Sequence, residues 1–217
     1  MDGPGLPGAR ATRGPLARLF PDATRAVLVV VVAISGLALL LPPEDLLYRL
    51  AKDNDAIRAG EVWRLLTAGL VHGGVLHLFM NMMVLNDVGR LVESLFGPRR
   101  MLVLLWVGVL GGSLASFATN PNPSVGISGG LFALVGAMLA VGLRHRRRLP
   151  PHVRRMLVRG PLEVIVLNVA LGFALPFIDN AAHLGGLAAG FALGLALALR
   201  PEVRAALGGE PGAPRFR

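Results

Sequence analysis

Six stretches of the chain contain no Asp, Glu, Lys or Arg: Ala26–Leu41, Leu65–Asn86, Met101–Phe117, Ser128–Leu143, Val164–Ile178 and Ala181–Leu199. Each is 15 to 22 residues long, close to the roughly 20 residues that carry a helix across a bilayer. Hydrocarbon offers no partner to a backbone N–H or C=O, so such runs can only be helices that bond internally. The expected fold is therefore all-α, a polytopic membrane protein with six transmembrane helices. Composition agrees: 16% of residues are charged, against about 25% in soluble domains. Ala26–Leu41 is read as an uncleaved span rather than a signal peptide, because no small-x-small site follows it.

The links carry the charge and set the orientation. Of 22 basic residues, 18 fall in the N-terminal tail, the links after spans two and four, and the C-terminal tail. The other side has only Arg49, Lys52, Arg58 and Arg64, all in the loop from Glu44 to Arg64. The positive-inside bias places both termini in the cytoplasm of a cell (inner or plasma) membrane and demands an even number of spans. The seven arginines between Arg144 and Arg159 are then a topology anchor and a contact for lipid headgroups, and nucleic acid is excluded as a partner. Residues 1–25 read as a disordered cytoplasmic tail with a short interfacial turn at Leu16–Phe20, residues 26–199 as the membrane domain, and residues 200–217 as a cytoplasmic tail.

Polar residues inside spans are costly and point to function. Ser128 follows the hairpin Thr119–Ser124, within Gly126-Ile127-Ser128-Gly129-Gly130. Glycines on both sides leave its hydroxyl and N–H open, although a chain with 28 glycines offers G-x-S-G by chance. A small-residue helix start for close packing is the alternative. Serine becomes a nucleophile only when a base takes its proton. Span four runs sixteen residues from Ser128 to Arg144, roughly 24 Å at about 1.5 Å per residue. Span six runs seventeen from His183 to Arg200, roughly 25 Å by the same rise. The two therefore sit at nearly one depth. On span six His183, Gly190 and Gly194 share a face, the two glycines about 20° to either side of His183 at 100° per residue. On span four Gly129, Ala133, Gly136 and Ala140 form a small-residue stripe. Small residues on facing helices let backbones approach, which puts a serine within reach of an imidazole.

Span two adds His77 and Asn81, one turn apart, with His72 before them. Measured down to Arg90 they lie one to two turns deeper than Ser128, a misfit that vanishes if span two continues to Gly97-Pro98. An imidazole and an amide near the serine would serve as an oxyanion hole. Asp179 stands near His183, but at the rim, where it can be solvated, and is not expected to complete a triad. A metal site from His72, His77 and His183 lacks a carboxylate or thiolate at their depth, and Cys is absent. No metal and no cofactor is expected. Met80, Met82 and Met83 read as lipid-facing or gap-filling, and Asn168 as structural.

Four motifs occur in order: Trp63-Arg64, His72-x4-His77-x3-Asn81, Gly126-Ile127-Ser128-Gly129, and Asp179-Asn180-Ala181-Ala182-His183-Leu184-Gly185-Gly186-x3-Gly190. Over residues 44–199 the chain resembles the rhomboid family of intramembrane serine proteases, in the bacterial six-span form. The resemblance implies six helices around a buried Ser–His dyad, with Ser128 as nucleophile and His183 as general base. It implies an oxyanion hole from His77, Asn81 and the Ser128 N–H. His72 matches a supporting histidine, Gly126, Gly129, Gly186 and Gly190 supporting glycines, and Trp63-Arg64 a structural motif. Gly130 stands where the family often has alanine. The implied activity is cleavage of peptide bonds in transmembrane segments of single-span or other membrane proteins, through an acyl-enzyme, with gating by span five and the Pro176 hairpin. The alternative is a catalytically inactive rhomboid-like factor that binds membrane proteins. Such relatives typically lose the serine or the histidine, and both are present here. A transporter is disfavoured by the lack of an inverted repeat. The substrate, the cleavage position and the oligomeric state are not encoded legibly.

Overall fold

The computed structural model describes residues 22–42, 46–175 and 177–208. Most of the expected N-terminal tail with its Leu16–Phe20 turn, Pro176, and the last nine residues lie outside them. The described residues form an α-helical structure with no strand; one isolated bridge pairs Lys52 with Ser124. Five helices are long and apolar enough to cross a membrane. They are α1 (Ala23–Leu40), α2 (Val75–Phe96), α3 (Pro98–Thr119), α4 (Ser128–His145) and α5 (Pro151–Ala174). A sixth apolar helix, α6 (Asn180–Ala196), has 17 residues, and α7 (Pro201–Gly208) follows.

Several boundaries move from those expected, each for a physical reason. Helix α1 begins at Ala23 rather than Ala26, because Asp22 accepts from the Arg25 N–H at 2.7 Å. The Glu93 carboxylate also reaches across from α2 to accept the Ala23 N–H at 2.9 Å, the Thr24 N–H at 3.0 Å and the Thr24 hydroxyl at 2.7 Å. A helix start leaves its first N–H groups without partners, and here a second helix supplies them. Span two does not run from Leu65 to Asn86. Short turns at Arg64–Thr67 and Ala68–Leu70 precede a break at Val71–Gly74, and the helix then continues to Phe96. The stretch from Asp87 is therefore the last part of α2, which includes a wide π-type turn at Leu85–Gly89. Gly97, at φ 85°, ends it, and Pro98 opens α3 at once. Span five starts at Pro151, so the second half of the arginine segment is helical, and α6 stops at Ala196.

Helix α4 is the centre of the bundle: 78% of it is buried, against 11% of α5. Glycines explain how α3 and α6 close on it. A Cβ on Gly186 would lie 2.0 Å from the Gly129 oxygen, one on Gly190 2.0 Å from the Ala133 oxygen, and one on Gly194 2.7 Å from the Ala137 Cα. Those obstacles are mostly backbone. On α3, a Cβ on Gly108 would meet that of Ala133 at 2.2 Å, and one on Gly112 the Ala182 oxygen at 2.6 Å. The expected small-residue seam is present, with α3 as its third member. The remaining core is aliphatic, with Val31, Leu85, Leu104, Leu105, Ile127 and Leu134 buried completely. Of the methionines, Met82 is buried, while Met80 and Met83 are half exposed.

The loop before α2 is folded back onto the bundle. Arg64 is buried, pairs with Glu61 at 2.6 Å, and donates to the carbonyls of Ala51 (3.0 Å) and Tyr48. Lys52 is wholly buried, and its ammonium donates to the carbonyls of Asn120 at 2.7 Å and Asn122 at 3.0 Å. Its backbone exchanges two hydrogen bonds, each 3.0 Å, with Ser124. The Asn54 amide donates to Phe117 and Asn120, both at 3.2 Å. Burying a charge is costly unless its hydrogen bonds are met, and these two side chains meet theirs by holding the loop in one shape.

Candidate active site

The segment that delivers Ser128 hangs from the turn before α2. The Gly126 N–H donates to the Ala68 carbonyl at 2.9 Å, and the Ile127 N–H to His72 Nε2 at 3.4 Å. On its other side His72 Nδ1 lies 2.9 Å from the Ser35 hydroxyl of α1, which itself donates to the Leu70 carbonyl at 2.9 Å. These roles are mutually consistent only if Nδ1 carries the proton and Nε2 accepts. His72, fully buried, thus links α1 to the residue before Ser128. Gly126 has φ +115°, a conformation L side chains rarely adopt, and a Cβ there would lie 2.8 Å from His77 Cε1. Both backbone and space require glycine.

Ser128 opens α4, which has no side-chain cap. The N–H groups at such an end point outward unpaired and favour a negative partner. His183 lies in the first turn of α6, 7% exposed. Its Nε2 is 3.0 Å from the Ser128 hydroxyl oxygen, a normal hydrogen-bond length. The Phe132 ring stacks on the imidazole, centroids 4.3 Å apart and planes 9° from parallel. His183 Nδ1 is buried with no hydrogen-bond partner among the described residues. Asp179 does not supply one: its carboxylate accepts the Ala182 N–H at 3.0 Å and the Ser116 hydroxyl of α3.

His77 faces this centre from α2, its ring edge-on to His72 with centroids 5.0 Å apart, beside Gly126. Asn81 is buried one turn further along, and its amide donates to the His77 carbonyl at 2.8 Å, within its own helix. Ser128, His183, His77, His72 and Gly126 are therefore gathered at one end of the bundle, and Asn81 stands one turn from His77 on α2. Gly129, Gly186 and Gly190 are the close contacts beneath them. Trp63 is half exposed, whereas Arg64 is the staple of the loop. Asn168 is half-buried and bonds its own helix through the Val164 carbonyl. Among the described residues no three of His, Cys, Asp and Glu are grouped to hold a metal ion. Sequence reasoning missed Phe132, although it lies one turn after Ser128 on the same face. It also missed Ser35, which nothing local distinguishes.

Such a geometry can transfer a proton from a half-buried hydroxyl to a shielded imidazole beside open N–H groups. Residues 59–200 match the Rhomboid domain family model. The chain is 40% identical over 149 residues to Rhomboid protease GluP of Bacillus subtilis, covering 69% of this chain and 29% of that protein. It is 41% identical over 155 residues to RHOMBOID-like protein 5 of Arabidopsis thaliana, covering 70% of this chain and 49% of the relative. It is 34% identical over 145 residues to Inactive RHOMBOID-like protein 8 of the same plant, covering 66% of this chain and 40% of the relative. The chain thus spans half or less of the length of these relatives. On the family match and these identities, the chain belongs to the rhomboid family.

Proposed function

We propose that the protein is an intramembrane serine endopeptidase, in which Ser128 is the nucleophile and His183 the general base. The observation that carries this reading is the 3.0 Å contact between His183 Nε2 and the Ser128 hydroxyl, between two helices held together by glycines. The hydroxyl attacks a peptide carbonyl while Nε2 takes its proton. His183 then protonates the leaving amine, and water resolves the acyl-enzyme through the same base. Negative charge on the tetrahedral oxygen falls at the uncapped start of α4, where the Ser128 N–H donates. His77 stands beside Gly126, two residues before Ser128. Asn81 spends one amide N–H on the His77 carbonyl and has a second to offer. Phe132 excludes water from the imidazole face and fixes the ring plane.

Substrates are transmembrane segments of single-span or other membrane proteins. The outer faces of α2 and α5 suit their entry: Val75, Leu76, Phe79, Val166, Leu167 and Phe173 are all more than half exposed. Six spans, with α6 as the short sixth, and both termini on the cytoplasmic side of a cell membrane complete the reading. The 18-to-4 bias of basic residues supports that orientation. The test is cleavage of a single-span reporter in liposomes. Wild type should produce two fragments and Ser128→Ala none. Equal cleavage by both proteins would refute the assignment. An intact reporter that still co-purifies with folded wild type would favour the non-cleaving binder.

A further inference from the structure

Asp179 is a half-buried carboxylate at the start of α6 that the proposed reaction does not use, and its contacts are specific. One oxygen caps α6 through the Ala182 N–H at 3.0 Å, and the other accepts the hydroxyl of Ser116, which is fully buried on α3. Burial alone would raise its pKa, but hydrogen bonds, that of Ser116 foremost, hold it below the ordinary carboxyl value. It is therefore an anion at neutral pH, with its charge absorbed by donors on two elements. One turn along each helix from this tie, Gly112 of α3 meets the Ala182 carbonyl of α6, with no space for a Cβ. The end of α3 is thus a fixed surface for α6. It is also one for the chain before α4, because Lys52 and Asn54 both hold the Asn120 carbonyl and Lys52 pairs with Ser124. Ser124 precedes Ser128 by four residues, and Asp179 precedes His183 by four.

We propose that Asp179, tied to Ser116, is a positioning residue that sets where His183 stands relative to Ser128, in place of the missing contact to His183 Nδ1. A general base in a triad is oriented through its second ring nitrogen. Here that nitrogen has no partner among the described residues, so orientation comes from the helix that carries the ring and from the Phe132 stack. Pinning the first turn of α6 to α3 fixes the rotation of that helix, and with it the direction of Nε2. The inference rests on the dyad assignment above.

The test uses the full chain in detergent and a fluorophosphonate probe, with labelling rates compared below each variant's unfolding midpoint. Asp179→Ala removes both the cap and the tie and should slow labelling by about 10- to 100-fold, the scale expected for a misplacement of order 1 Å. Ser116→Ala should slow it in the same direction, and the double variant should be no slower than Asp179→Ala, since both break one link. Asp179→Asn keeps an acceptor for Ala182 and a hydrogen-bonding group for Ser116, and should restore most of the rate. On the liposome reporter the loss should fall on kcat, with KM unchanged. An Asp179→Ala rate equal to wild type, or an Asp179→Asn rate as low as that of Asp179→Ala, would overturn the positioning role while leaving the dyad standing. Absence of Ser128-dependent labelling in wild type would remove the dyad, and this role with it.

Discussion

Replacing Gly186 by alanine separates the two helices that carry the site with the smallest possible change. The added Cβ would lie 2.0 Å from the Gly129 oxygen and 2.7 Å from its carbonyl carbon. Both atoms are backbone of α4, in the residue next to Ser128, so no side chain can rotate away. Reaching an ordinary contact of about 3.3 Å requires roughly 1.3 Å of separation at that level. Gly186 is less than one turn from His183. The 3.0 Å contact from Nε2 to the Ser128 oxygen then opens to about 4 Å, past the limit of a hydrogen bond. Misplacement of that size costs about 100-fold in rate. The assay is reporter cleavage in liposomes, with thermal unfolding in detergent measured alongside. Gly36→Ala is the control, because nothing lies within 4 Å of a Cβ there, and it should cleave at the wild-type rate. A folded Gly186→Ala protein that cleaves as fast as wild type would refute the claim that this seam sets the distance between nucleophile and base.

Arg64→Ala deletes a guanidinium that serves two carbonyls and Glu61; hydrogen bonds of a charged group are worth about 1.5–3 kcal/mol each. The unfolding midpoint should drop clearly, with Ser128 labelling retained at low temperature, and an unchanged midpoint would contradict the staple role. His72→Ala leaves the Ile127 N–H and the Ser35 hydroxyl without their partner, so reporter kcat should fall about tenfold, and a full-rate variant would contradict the link. Glu93→Ala leaves the Ala23 and Thr24 N–H groups of α1 without their acceptor, with the Asp22 cap retained, and should destabilise by about 1 kcal/mol, read as a lower midpoint at unchanged kcat. Asp179 has a folded pKa below its unfolded value of 3.8. Its contribution to stability is therefore complete above that value and lost as pH falls through the folded one. Acid unfolding of Asp179→Asn should lack that component below about pH 4; identical acid profiles would contradict it.

What could be read from the linear chain follows from range. The glycine seam was visible because it repeats along single helices and needs no knowledge of the partner: Gly190 and Gly194 face α4 as their period requires, and Gly186, which only the family resemblance singled out, extends the same contact. Counting from Arg144 and Arg200 put Ser128 and His183 level, and they do meet at 3.0 Å, although α6 ends at Ala196, so the count to Arg200 does not follow one helix. The end of α2 was visible only as the extension to Gly97-Pro98 that the depth of His77 and Asn81 asked for; its charged residues hid it by riding on the helix instead of ending it, and its late start at Val75 was not visible. Glu93 is spent on capping α1, and Gly73 and Gly74 lie in the break that precedes Val75. The ties made by Lys52, Asn54 and Ser35 were illegible for a different reason. They join residues 35 to 72 positions apart, and a lone lysine or serine in sequence carries no sign of its partner. Phe132 lay between these cases, with helical spacing that marked it as a neighbour of Ser128 but no local cue to its ring stack on His183.

The central claim is that His183 activates Ser128, and covalent labelling tests it most directly. Wild type, Ser128→Ala and His183→Ala, each folded in detergent, are treated with a serine-directed fluorophosphonate. The account predicts labelling of wild type at Ser128 and loss of labelling in both variants. A folded wild type that takes no label, or a His183→Ala protein labelled at the wild-type rate, would contradict it.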